Sequence, residues 1–109
     1  MLQLDQFTGT EKYHKVSPLY PFVLTDGVRY LADEGKAWWL LDAIASYRKR
    51  EPFQVWSLDV APDKTALLLM REDKDAPILV KQHIEYTDFP LDRVEVWVID
   101  GVALLPSEY

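Results

Sequence analysis

The chain has 109 residues, no cysteine, 49% hydrophobic and 13% aromatic residues, and a formal net charge of −6. That length and hydrophobic content fit one globular domain, residues 1–109, with a core that needs no disulfide or metal staple. The missing cysteines exclude disulfide scaffolds, thiolate zinc sites, iron–sulfur clusters and cysteine nucleophiles.

The charge is unevenly placed. Residues 1–52 carry 7 acids and 7 bases, whereas residues 53–109 carry 11 acids and 5 bases. The basic triplet Arg48-Lys49-Arg50 reads as a helix C-terminus, where cations offset the macrodipole. Phosphate binding needs a broad positive field, so nucleic acid is disfavoured as a partner. Apolar runs such as Ala37–Leu41 are far shorter than the ~20 residues of a membrane span. The N-terminal stretch has neither the basic nor the apolar region of a secretion signal. The expected location is the cytoplasm.

Prolines at 18, 21, 52, 62, 77, 90 and 106 punctuate the chain, because proline lacks a donor and restricts its predecessor. Thr25-Asp26-Gly27 reads as an N-cap, and Val28, Tyr30, Leu31 and Ala32 predict a helix over about 25–34, with Gly35 as its C′ stop. A second helix, about 37–49, follows from Leu40, Leu41, Ile44 and Ala45 at helical spacing, with Trp38 and Trp39 about 100° apart, so that one of the two is expected at the edge of that stripe. From residue 53 the period changes to two. Strands are predicted at about 53–60, 65–71, 78–86, 94–99 and 102–105, the last two joined by Asp100-Gly101, a hairpin signal requiring φ > 0. Short connections without a crossover helix imply an α+β fold: two N-terminal helices on one face of a 4–5-stranded antiparallel meander.

Trp56, Leu58, Val60, Val94, Val96 and Val98 define the face expected to meet the helices. The opposite face carries Val55, Leu67, Leu69, Leu79, Trp97 and Ile99, mixed with Lys81, His83, Glu85 and Glu95. Alternation this incomplete predicts cover over part of that face, by residues 1–24, by the last residues, or by another chain. Those six apolar residues are the candidate interface.

A pocket between helices and sheet is the alternative, with Trp38, Asp42, Gln82, Tyr86 and Asp88 as candidates. Asp42 near two tryptophans has the setting of a general acid, and Gln82 interrupts an apolar stripe and needs hydrogen-bond partners if buried. A solvated mid-helix acid and a structural amide are the plainer readings. His83 and Glu85 share a strand face, yet a metal site needs further ligands and His14 is the other imidazole. A solvated polar pair is the simpler reading. The acids Glu85, Asp88, Asp92, Glu95, Asp100 and Glu108 match no calcium-loop order and read as a solvated edge. No phosphate loop, nucleophile elbow or H-E-x-x-H is present. No catalytic residue, cofactor or metal is assigned.

Three stretches carry a resemblance: Gln6-Phe7-Thr8-Gly9-Thr10-Glu11; Thr25-Asp26-Gly27-Val28-Arg29-Tyr30-Leu31-Ala32 with Trp39-Leu40-Leu41-Asp42-Ala43-Ile44-Ala45-Ser46-Tyr47; and Ile84-Glu85-Tyr86-Thr87-Asp88-Phe89-Pro90-Leu91 with Asp100-Gly101-Val102 and Leu105-Pro106-Ser107-Glu108-Tyr109. Together they resemble an uncharacterised family of small bacterial proteins, frequent in cyanobacteria, over nearly the whole chain. The resemblance implies a bacterial, cytoplasmic, stand-alone domain with a native C-terminus, and it transfers no activity.

The leading expectation is a non-enzymatic protein-interaction module, a homodimer or the binder of another protein, using the second sheet face and the acidic C-terminal half. A small-molecule-binding protein or small enzyme is the alternative. An acidic inhibitor imitating nucleic-acid phosphates ranks last, because −6 is a modest charge for it.

Overall fold

In the computed structural model, residues 4, 6–9, 12–16, 18, 20–47, 52–73 and 75–109 are described. The elements are β1 (Val23–Leu24), α1 (Asp26–Glu34), α2 (Trp38–Ala45), β2 (Phe53–Val60), β3 (Ala66–Arg71), β4 (Ile78–Ile84), β5 (Arg93–Ile99), β6 (Val102–Leu104) and a 3-10 turn, Pro106–Glu108. The fold is α+β, and the strands form one sheet in the order β1-β6-β5-β2-β3-β4.

Thr25 caps α1, its hydroxyl accepting the Val28 N–H at 3.3 Å. The helix ends one residue later than the glycine suggests. Gly35 is still right-handed at φ −86°, and Lys36 takes the left-handed conformation at φ 51°. The Ala37 N–H then reaches back to the Ala32 carbonyl at 3.0 Å, the six-to-one bond of a Schellman ending. In α2, Leu40, Leu41, Ile44 and Ala45 are buried, and Trp38 and Trp39 are half-buried at the margin. The helix stops at Ala45 and not near residue 49. The Ser46 hydroxyl donates to the Ala43 carbonyl at 2.6 Å, and the Tyr47 N–H tightens onto Ile44, closing the last turn. Arg48-Lys49-Arg50 lies outside the described residues.

The sheet departs from a meander in two ways. β2, β3 and β4 follow one another antiparallel, but β5 returns to pair with the other side of β2. This is Greek-key connectivity. The returning segment, residues 85–92, crosses the end of the β2–β3 hairpin: the Thr87 N–H donates to Lys64 O at 2.9 Å and the Val60 N–H to Asp92 O at 2.7 Å. Phe89 in its middle is 2% exposed and joins the main core. Then β1, too short to show a period in sequence, adds parallel to β6 through Val23 N–H to Gly101 O and Thr25 N–H to Ala103 O.

Asp100 at φ 49° and Gly101 at φ 80° make the β5–β6 turn the sequence predicts. The principal core lies between helices and sheet, where Leu24, Val28, Leu31, Leu40, Leu41 and Ile44 meet Trp56, Leu58, Leu68, Met70 and Val96. Its buried amide is Gln54, whose side-chain oxygen accepts the Trp56 indole N–H at 2.7 Å. No helix among the described residues is long and apolar enough to cross a membrane.

Candidate interaction surface

Three of the six candidate interface residues are buried by the chain itself: Val55 at 6%, Leu69 at 9% and Trp97 at 9% exposed. Val55, Trp97 and Leu104 form a second apolar cluster, flanked by Phe53, Ile99 and Val102. The last residue lies across it, with the Tyr109 ring 5.4 Å from Trp97 and 6.3 Å from Phe53. The final turn is therefore part of the cover.

Next to this cluster the face is polar and internally bonded. Arg93 donates to Asp59 at 2.7 Å and to Glu95 at 3.0 Å, and the Trp97 indole N–H donates to Glu95 at 3.0 Å. Hydrogen bonds to Glu95 and then Asp59 hold the Arg93 guanidinium still more firmly protonated. An open groove of about 630 Å³ runs beside these groups between Leu4, Val94, Leu105 and Pro106. None of the pocket candidates lines it.

Those candidates fall into two groups. Trp38 and Asp42 stand on α2 and bond locally, the Trp38 indole to Asp33 at 2.9 Å and Asp42 to the Tyr20 hydroxyl. Gln82, Tyr86 and Asp88 stand exposed on β4 and the segment after it. No hydrogen bond or ion pair among the described residues joins the two groups. Gln82 is exposed because β4 lies at the sheet's rim. Tyr86 lies beyond the strand, which ends at Ile84 rather than 86.

His14 pairs its backbone with Leu24. Its Nε2 lies 2.7 Å from Asp26 and its Nδ1 2.9 Å from Arg29. Since Arg29 can only donate, Nδ1 accepts and Nε2 carries the proton to Asp26. The arrangement ties residues 12–16 to α1. Among the described residues no three His, Asp or Glu side chains gather closely enough to hold a metal ion.

Among the described residues, β4 is the strand left open. It pairs with β3 on one side and contains no buried residue. Ile78 and Leu79 are 45% and 46% exposed, and Tyr86 just beyond is 70% exposed. The register slips at Met70/Arg71, which makes Leu79 the extra, bulged residue and sets Ile78 opposite Arg71. The Val60–Asp92 bond shows that even-numbered residues of β2 aim their backbone groups at β5. Carried through the pairs Ser57↔Leu69 and Leu68↔Gln82, that alternation turns the backbone groups of Lys81 and His83 outward, away from the sheet.

A comparison with family models covers residues 2–109. The chain belongs to a family of unknown function, DUF6876. No curated protein and no solved structure matches it. The DUF6876 match spans both the packed second face and the β4 rim, so both are features of a chain that lies within the family from end to end.

Proposed function

We propose that this chain is a single-domain, non-enzymatic protein-interaction module of the cytoplasm, and that it docks by accepting an extended strand of a protein partner on the outer edge of β4. One observation carries the reading: β4 has outward backbone donors and acceptors at Lys81 and His83, flanked by the exposed apolar side chains Ile78, Leu79 and Tyr86. Main-chain groups so presented form a template for an added strand, and side chains along the row supply selectivity. The seat differs from the Val55–Trp97 patch, which the chain covers with its own last residues.

The test is a titration of isotopically labelled protein with a synthetic peptide of sequence ILVKQHIEY, residues 78–86. Amide shifts centred on Lys81 and His83 are expected. No binding at millimolar peptide, or shifts confined to the Phe53–Trp97–Tyr109 cluster, would overturn the proposal.

A further inference from the structure

Resting on that reading, we infer that the strand added to β4 is β4 of a second copy, antiparallel about a two-fold axis at His83, with Lys81 facing the partner's Glu85 on both sides of the axis. An outward lysine on an edge is ordinarily a device that keeps the edge solitary. Here Glu85, at the bend directly after the strand, follows four residues on, and both are exposed.

Ladder hydrogen bonds require outward-facing residues to oppose one another, so odd-numbered residues must face odd-numbered ones. The register with the longest overlap sets Lys81 against itself, two like charges directly opposite. Moving by one pair sets Lys81 against His83 and Leu79 against Glu85. The next register sets Lys81 against Glu85 twice and His83 against itself at the axis, and a further step leaves little beyond Ile84 to pair. Opposite-charge pairs stabilise a cross-strand contact and like pairs oppose it. Charge therefore selects the third register.

One structural detail agrees with that register. The bulged Leu79 falls outside the paired stretch, opposite Thr87, so its local twist does not disturb the ladder. The chain also stays alongside β3 past the end of the strand, with one extra residue after Ile84: Ile84 faces Ala66, yet the Thr87 N–H and not that of Tyr86 bonds Lys64 O. Glu85 therefore remains near the edge. A contact of five residues a side is small, and the dimer belongs to the weak, transient class.

Sedimentation equilibrium over a wide concentration range tests it on the full chain. A monomer–dimer equilibrium is expected, with Lys81→Glu and Glu85→Lys each weakening dimerisation about 10-fold or more by placing like charges opposite one another. The doubly swapped variant should regain most of the loss. Both side chains are exposed, so all three variants should keep the native fold, checked by circular dichroism. A chain monomeric at millimolar concentration, or a dimer whose double swap is no better than the single ones, would overturn the inference. Should the 78–86 peptide bind β4 while the chain stays monomeric, the dimer fails and strand acceptance stands; should neither associate, both fail.

Discussion

Glu108 closes on the N-terminus of α1 across 81 residues of chain, its Oε2 accepting the Gly27 N–H at 3.1 Å. Its Oε1 accepts the Thr25 hydroxyl at 2.6 Å and the Leu105 N–H at 3.0 Å. A carboxylate at this position meets the orphan amides and the positive end of the helix dipole. Gly27 is the reason it can approach: a Cβ there would lie 2.6 Å from Glu108 Oε1 and 2.7 Å from Leu105 Cδ1.

Gly27→Ala should therefore destabilise the fold by about 1–2 kcal/mol, although alanine is the better helix former. Glu108→Ala should cost a similar amount. Because the alanine methyl acts by displacing the carboxylate, the double variant should cost well under the sum in urea unfolding. Additive losses would show that Gly27 matters for some other reason.

Gln54 and Gln82 should respond oppositely to loss of their amides. Gln54→Leu strands the buried Trp56 indole N–H, which Gln54 now accepts, and should cost about 1–3 kcal/mol. Gln82 is exposed on β4, and Gln82→Ala should change stability by less than about 0.5 kcal/mol. Denaturant midpoints for the two variants check this directly.

Lys36 occupies the left-handed region at φ 51°, where a side chain is disfavoured and glycine is not. Lys36→Gly should stabilise the protein by about 0.5–1 kcal/mol, read as a raised thermal midpoint. A lowered midpoint would mean that the lysine side chain contributes more than its backbone conformation costs.

Tyr20 donates to Asp42. Burial first, then the hydrogen bond and charge of Asp42, push its pKa from 10.0 up to about 12. The folded chain thus holds this proton more tightly than the unfolded chain. The stability it contributes is whole below pH 10 and is lost as pH rises through about 12. Absorbance titration should show a late-ionising tyrosine that is absent from Tyr20→Phe and shifted back toward 10 in Asp42→Asn.

The elements were legible because their signals are local. The Thr25 cap, the Leu40–Leu41–Ile44–Ala45 stripe and the Asp100-Gly101 turn each depend on neighbours within a few residues. Strand order was not legible, because period two says nothing about whether β5 returns beside β4 or beside β2. The buried Phe89, in a polar proline-bounded stretch, was the available hint of a segment packed across the sheet's end. The second face was legible only as a choice among covers, residues 1–24, the last residues or another chain, for a related reason. Val55 and Trp97 do face away from the helices, but Tyr109, held by the turn that carries Glu108, lies against Trp97 and Phe53 of the same cluster. That contact links the last residues to a cluster far away in sequence. Exposure of Gln82 likewise follows from β4 being at the rim, which depends on strand order.

Amide hydrogen exchange as a function of protein concentration tests the central claim, that β4 is the docking edge, most directly. The Lys81, His83 and Glu85 amides should exchange quickly in dilute solution and gain protection as concentration rises, while the amides of β5 and β6 stay unchanged. Protection at β4 independent of concentration, or a concentration-dependent gain confined to the Phe53–Trp97–Tyr109 cluster, would contradict it.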